Sequence, residues 1–518
     1  MPAPRRWWAW ILGVIVFLRS TTLCIPLIDD EETFAAFARV LLHGGIPYVS
    51  VVDNKPPLVY YWYAFWLWLG GDGHTVLLHL AGMLWVAATC WVMYRIGRLI
   101  ENALCGFFAA LLFAIFTTTY IPGYIAIHAA LLLALPTSLS VYCLLQWHSA
   151  RRARWIFWSG VCAGMAVLFK YQALVQLPFT VWALIYLSVR RRETNSWRMV
   201  QGAALYFFGV MIVPLIVAWH LHQQGALAAM YDVTWLASFR YMGQGATVGQ
   251  VWLRALVHIG TYVLATWLLW FVFAQQIIHR LKKYYLGLPI RRPYPTLVGG
   301  WLLWSLPAVM AGSRFYGHYF IQLLPPLCLM TGVQCARWWS PAKSVNPQRA
   351  RRWLAGGLAV WSVAWMLPRL FFDPLAARFH IQNLQVEQKI ATYLRVHMPL
   401  DARFFVWGTE PAIYFLAQRN PATRFLWSDS LTGRSPGLPE TQRGAADTSS
   451  LVNADDWQQV MDDLARTPPL YFVDCAAGDL RDYGKFPIAN YPRMALFVAA
   501  HYVLETSIDG VEMYRKRH

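Results

Sequence analysis

Apolar positions in this chain come in long unbroken runs, without the one-sided spacing of helices that lie on a water-soluble core. Runs able to cross about 30 Å of hydrocarbon fall near residues 7–28, 74–95, 103–121, 124–146, 200–221, 252–277, 294–312, 317–336 and 353–370. One more, Trp155 to Val189, is too long for a single comfortable helix. Arg151, Arg152 and Arg154 precede it, and Arg190, Arg191 and Arg192 follow it. Arginine clusters mark the cytoplasmic side of a membrane, so the chain must enter and return between them. The run therefore predicts two short helices with Lys170 at the turn. Eleven spans result, with the N-terminus cytoplasmic and everything beyond about residue 371 outside.

The pattern changes after residue 370. Arg403 to Gly408 and Pro469 to Asp474 read as buried strands ending in turn residues, Val386 to Met398 and Ala454 to Ala465 have helical spacing, and 433–450 reads as a loop. The expected architecture is a polytopic all-α membrane bundle of about 11 helices over residues 1–370, followed by a soluble α/β domain over 371–518 on the outer side.

Composition supports a membrane protein. Hydrophobic residues make up 58% of the chain and charged residues 14%, against roughly 25% charged in ordinary globular domains. Up to residue 370 there are 29 bases and 9 acids, and beyond it 15 and 17. The pI near 9.6 would suit a nucleic-acid ligand, but the bases sit in short clusters between apolar runs, which is membrane topology and excludes nucleic acid as the partner. The eight cysteines show no CxxC pair, so neither a disulfide framework nor a zinc module is expected. The first run follows Arg5 and Arg6, exceeds a signal-peptide core and lacks a small-x-small cleavage site, which predicts an uncleaved first span.

Polar residues cluster on the outer side. The first outer loop, 29–73, opens with Asp29-Asp30-Glu31-Glu32 and continues through Phe34, Phe37, Ala38, Leu41 and Leu42 to Gly44-Gly45. That stripe predicts an amphipathic helix lying on the membrane. One acid at its start would satisfy the helix dipole, the role expected of Glu32; four at the mouth of a bundle suggest chemistry. Asp53-Asn54-Lys55-Pro56-Pro57-Leu58 follows, its prolines fixing an extended backbone that holds Lys55. Topology brings His128, Lys170, Arg19 and the turn bearing Arg314, Tyr316 and His318 to the same face. Acids and cations around one mouth suit a phosphate-bearing lipid.

Asp30-Glu31 with Phe34-Ala35, then Gly44-Gly45, then Asp53-x-Lys55-Pro56-Pro57-Leu58 resembles the GT-C superfamily of membrane glycosyltransferases, especially the protein O-mannosyltransferase and lipid A aminoarabinose transferase group. Gly164 to Lys170 and Arg314 to Pro325 are similar to later motifs of that group. The resemblance implies inverting transfer of a sugar from a polyprenyl-phosphate donor to a lipid, glycan or protein acceptor, on the outer face of the inner (plasma) membrane. It implies Asp30 as the general base, with Glu31 beside it in the catalytic pair. Lys55 is then the first cation for the leaving phosphate, with Lys170, Arg314, His318 and Arg19 as partners. Asp53, His128 and Tyr316 complete the set, and Asp53 and His128 are the candidate ligands of a divalent metal. Two positions depart from the group: Asn54 stands where aminoarabinose transferases carry Glu, and His128 where mannosyltransferases place an acid. A flippase for polyprenyl-linked lipids would show inverted repeats and charges at the bilayer midplane, and neither is visible; a polymerase or ligase using a polyprenyl diphosphate would not need the paired motifs of the first loop.

Overall fold

The computed structural model describes residues 5–517 except 25, 29, 72, 119–124, 192–195, 237–247, 287–293, 340–347, 350, 351, 355, 358, 359, 362–372 and 435–447. Most of the expected run 353–370 and most of the loop 433–450 therefore lie outside the described residues.

The front of the chain is a helical bundle. Helix α1 (Arg5–Arg19) is followed by α2 (Asp30–Leu42), α3 (Leu58–Gly70), α4 (Val76–Ile100), α5 (Ala103–Phe116), α6 (Ala129–Ala150), α7 (Ala153–Phe169), α8 (Gln176–Arg190) and α9 (Ser196–Gln223). Helices 248–265, 267–285, 294–310 and 324–339 continue it. Among the described residues, five segments are long and apolar enough to cross a membrane: Val76–Ile100, Ala129–Ala150, Tyr171–Arg190, Trp197–Gln223 and Gly317–Trp339. The run 155–189 is two helices that break at Lys170, where the backbone turns extended. The run 252–277, expected as one span, is instead two helices meeting at 88°. At the break the Ala265 carbonyl accepts from Trp361 Nε1 at 2.9 Å, and the Thr266 hydroxyl donates to the Tyr262 carbonyl at 2.6 Å. The Ala265 carbonyl, which a straight helix would satisfy internally, thus finds a side-chain donor at the bend, while Tyr262 keeps its backbone bond from Thr266 as well.

Helices α7 and α9 approach through small residues. A Cβ on Gly160 would lie 2.0 Å from the Tyr206 carbonyl oxygen, and one on Gly164 2.2 Å from that of Val210. Gly160 and Gly164 are four apart on one face of α7, the spacing by which membrane helices pack backbone to backbone. This contact fixes α7 and so the height of Lys170 at its end.

The C-terminal region is built on a five-stranded mixed sheet. Its strands are β1 (Arg403–Trp407), β2 (Asn420–Pro421), β3 (Tyr471–Asp474), β4 (Tyr502–Ile508) and β5 (Val511–Lys516), in the order β2-β1-β3-β5-β4. The β2-β1-β3 pairs are parallel, and β5 pairs antiparallel with β3 and β4. Helices 373–397, 411–417, 454–466 and 492–501 flank the sheet.

This region and the segment spanning α2 and α3 share one core. Phe34, Phe37, Tyr60 and Tyr63 pack in the same buried cluster as Ile390, Phe404, Ile413 and Tyr471. Val52 N–H donates to the Arg424 carbonyl at 2.9 Å, and Arg39 Nη1 donates to Asn420 Oδ1 at 2.6 Å. Helix α2 is therefore not an amphipathic helix with one face on lipid and one in water. Phe34 and Phe37 are buried toward one side, and Glu32 and Arg39 are buried under the C-terminal region on the other.

Candidate active site

The first turn of α2 aims three successive acids in three directions, because consecutive helical residues are about 100° apart around the axis. Asp30 faces a histidine pair. Its Oδ2 is 3.3 Å from His128 Nδ1 and 3.9 Å from His318 Nε2. The two imidazoles stack with centroids 4.2 Å apart, and Tyr316 stacks on His318 in turn, at 5.7 Å. Glu31 turns into the bundle. Its Oε1 accepts from Ile127 N–H at 2.6 Å and its Oε2 from Ile28 N–H at 3.1 Å. Glu32 turns to the C-terminal region and pairs with Arg481 at 2.9 Å. It is 1% exposed, so the solvent-facing dipole role expected from its position is not the one it has.

His128 caps the start of α6 from an extended backbone, and His318 opens a 3-10 turn, Gly317–Leu323. Ser313 and Phe315 on either side of Arg314 both adopt left-handed φ, 54° and 53°. Non-glycine residues hold that conformation when their surroundings over-determine it, as at a functional turn. The turn buries Arg314 at 4% exposure and sets Tyr316, His318 and Tyr319 side by side.

Two lysines stand near Asp30. Lys170 Nζ lies 3.8 Å from the centre of the Tyr319 ring, a cation–π contact. The side chain is buried and its Nζ has no hydrogen-bond acceptor among the described residues. Lys55 is held by its backbone: its carbonyl accepts from Tyr48 OH at 2.9 Å and its N–H donates to Tyr60 OH at 3.3 Å. Its Nζ donates to Asn54 Oδ1 at 2.6 Å.

The environment keeps Asp30 ionised. Burial pushes its carboxyl up, but the His128 hydrogen bond and the charges of Lys55 and His318 outweigh burial and hold it well below the usual carboxylate range. It still keeps 29% of its side chain exposed, so a substrate can reach it. Glu31 goes the other way, because burial outweighs its two backbone hydrogen bonds and pushes it up to about 7.

Of the residues singled out from the sequence, Asp30, His128, His318, Tyr316, Lys55 and Lys170 come together, with Arg314 in the same turn. Three do not. Arg19 donates to the Ile125 carbonyl at 2.9 Å and the Thr117 carbonyl at 3.3 Å, strapping loops together beneath the site. Glu31 is fully buried on backbone donors. Asp53 accepts from Tyr60 OH at 2.5 Å and from Asn54 N–H at 2.6 Å, which stiffens the segment carrying Lys55. Tyr48, Tyr60 and Tyr319 were missed; all three lie in or beside the motifs quoted above, but nothing in their spacing marks a hydroxyl or ring as the support of a lysine.

The possible metal ligands also regroup. Asp30, His128 and His318 offer one carboxylate oxygen and two imidazole nitrogens within 4.8 Å of one another. His128 belongs to this set and Asp53 does not. One carboxylate with two imidazoles suits a borderline divalent cation such as Zn²⁺ better than Ca²⁺, which prefers oxygen ligands alone.

Residues 54–219 match the family model of dolichyl-phosphate-mannose-protein mannosyltransferases. No curated protein matches the chain. Among solved structures, ArnT from Cupriavidus metallidurans bound to undecaprenyl phosphate is similar with a TM-score of 0.58 at 15% identity, covering 99% of this chain and 98% of that one. The oligosaccharyltransferase of Archaeoglobus fulgidus in complex with Zn and sulfate is similar with a TM-score of 0.54 at 14% identity, covering 98% of this chain and 73% of that one. The chain thus shares the fold of these two membrane glycosyltransferase structures along nearly its whole length, and residues 54–219, in its first half, are similar to the dolichyl-phosphate-mannose-protein mannosyltransferase family.

Proposed function

We propose that the protein is an inverting glycosyltransferase that moves a sugar from a polyprenyl-phosphate donor to an acceptor hydroxyl on the outer face of the inner membrane. The observation that carries this reading is an Asp30 held ionised and partly exposed beside the buried Lys170, whose Nζ has no hydrogen-bond acceptor among the described residues. A carboxylate suits a proton to be removed, and a desolvated cation suits a phosphate to be released. ArnT, of the same fold, is bound to undecaprenyl phosphate in its structure.

In the proposed step, Asp30 takes the proton of the acceptor hydroxyl as its oxygen bonds to the anomeric carbon. The bond from that carbon to the phosphate oxygen breaks, and the electron pair stays on the phosphate. Lys55, Lys170 and Arg314 stabilise the growing charge there. The electrostatics give an order to binding. A carboxylate held far below neutrality is a weak base, and Lys55 is part of what holds it there. A donor phosphate that engages Lys55 adds negative charge near Asp30 and raises its basicity. The base thus strengthens once the donor is bound. Should a divalent cation bind, Asp30, His128 and His318 would hold it, and it would supply positive charge beside the phosphate.

The test is an assay in membrane vesicles with radiolabelled polyprenyl-phosphate sugars, scoring which donor is consumed; a protein that consumes none of them and only moves them across the bilayer overturns the reading. The sidedness is tested separately by reporter fusions. Fusions after residues 150, 193, 285 and 345 should report cytoplasm, and those after 235 and 380 the outside. A cytoplasmic signal at 380 would break the eleven-span arrangement and the outer-face site together.

A further inference from the structure

On the side of α2 away from the histidine pair lies a second ionic cluster that the transfer chemistry does not use. Arg481 Nη2 is 2.9 Å from Glu32 Oε1 and 2.7 Å from Glu387 Oε1, and its Nε is 2.8 Å from Glu410 Oε2. The three carboxylates come from three separate elements: α2, helix 373–397, and the residue preceding helix 411–417. All are at most 1% exposed. The loop presenting the guanidinium follows β3 and is left-handed at Asp479, Arg481 and Asp482, with φ of 49°, 51° and 61°. An arginine carries a Cβ and rarely adopts that conformation, so it holds here because the side chain is fixed at its far end. Asp479 Oδ1 accepts from Gly484 N–H at 2.7 Å and pins the loop from the other side. Three acids around one guanidinium leave an excess of negative charge; burial, with Glu387 adding to it, pushes the Glu410 carboxyl well above the usual carboxylate range.

We propose that Arg481 is a positioning residue for the transfer reaction: it fastens the first turn of α2 to the C-terminal sheet and thereby holds Asp30 at the histidine pair. This rests on the reading of Asp30 as the proton acceptor. Glu32 is two residues from Asp30 on the same helical turn, so release of Glu32 lets that turn rotate or fray. Misplacement of a reacting group by about 1 Å costs on the order of 100-fold in rate. Glu31 anchors the same turn to the bundle, so loss of one anchor leaves the helix formed but less exactly aimed.

The experiment compares Arg481→Gln, Arg481→Lys and Asp30→Asn in the purified full-length protein, with polyprenyl-phosphate sugar as donor. Arg481→Gln should lower kcat by roughly 10- to 100-fold with the donor KM unchanged, and Arg481→Lys should recover part of the loss because it keeps the charge. Combined with Asp30→Asn, Arg481→Gln should cost nothing further, since two residues acting through one group are not additive. Parental kcat in Arg481→Gln, or a loss that multiplies with that of Asp30→Asn, overturns the proposal while leaving Asp30 in place. Parental transfer in Asp30→Asn is a separate result: it removes the proton acceptor, and the positioning role falls with it. If Arg481→Gln does not accumulate, Arg481→Met with Glu32→Gln, Glu387→Gln and Glu410→Gln removes the buried charges together and should fold; its kcat must still be low, and a parental value overturns the proposal.

Discussion

Two ionic clusters flank one turn of α2, made of similar residue types and left in opposite states. Around Asp30 the partners are two histidines and two lysines, one carboxylate oxygen serves both imidazoles, and 29% of the Asp30 side chain is exposed. Around Glu32 the partners are one arginine and two more glutamates, all inside the seam between loop and sheet. The first cluster gathers basic side chains around a carboxylate that keeps an exposed edge; the second gathers three buried carboxylates around one guanidinium. A carboxylate with an exposed edge among basic side chains can meet a ligand, whereas carboxylates buried around one guanidinium have their own geometry to maintain. On the proposed reading, the contrast separates a site that binds and reacts from one that holds.

The sharpest way to break the comparison is to exchange acid for amide on the two sides. Asp30→Asn keeps the size and much of the helix-capping capacity of Asp but cannot accept a proton at neutral pH. Transfer should fall about 10²- to 10⁴-fold, the usual range for a general base, with protein level retained. Near-parental activity would make Asp30 one more structural acid. Lys55→Ala comes next. Loss of one charged hydrogen-bond partner typically costs about 1.5–3 kcal/mol, so donor KM should rise roughly 10- to 100-fold, and Lys55→Arg should do less harm. An unchanged KM at limiting donor would withdraw Lys55 from the phosphate.

How far these clusters could be read in advance differs for a physical reason. That the residues around Asp30 come together was legible because they lie in short motifs with their own local signal: acids at a helix start, a lysine locked before two prolines, a tight turn bearing Arg314 and His318. Charge parity around residues 155–189 gave the helix pair and Lys170 between them. The holding cluster joins Glu32 to residues 387, 410 and 481, which are far off in sequence and have no periodicity to connect them. The fate of α2 was missed for the same reason. Its stripe predicts burial of one face, and nothing local tells that the C-terminal sheet covers the other. Nor could Arg19 be sorted from Lys170, since both are cations near the end of a helix, and only the carbonyls of Ile125 and Thr117 decide that Arg19 is held within the fold.

The smallest expected effect on chemistry belongs to Glu31, one residue from Asp30, and it sharpens the comparison by turning activity into stability. Glu31 accepts two backbone N–H groups in a fully buried position. Gln can accept only one of them and turns an NH₂ toward the other, so Glu31→Gln should lower the thermal midpoint in detergent, with a cost of about 1–3 kcal/mol for the unsatisfied donor. Transfer by the folded fraction should stay within about threefold. The loss should also depend on pH in a set direction. Burial raises the Glu31 carboxyl from 4.5 to about 7, so the folded state binds more protons than the unfolded state between those values. Its contribution is therefore fully present below about pH 4.5 and is lost as pH rises through about 7. At roughly 1.4 kcal/mol per pH unit, the parent should lose on the order of 3 kcal/mol across that window from this group, and the Gln variant should not. Glu31→Gln must then look worse at pH 5 than at pH 8. A gap between parent and variant that is constant with pH would mean that Glu31 is ionised throughout, and a limb near pH 7 in the transfer rate that vanishes in Glu31→Gln would move the proton acceptor from Asp30 to its neighbour.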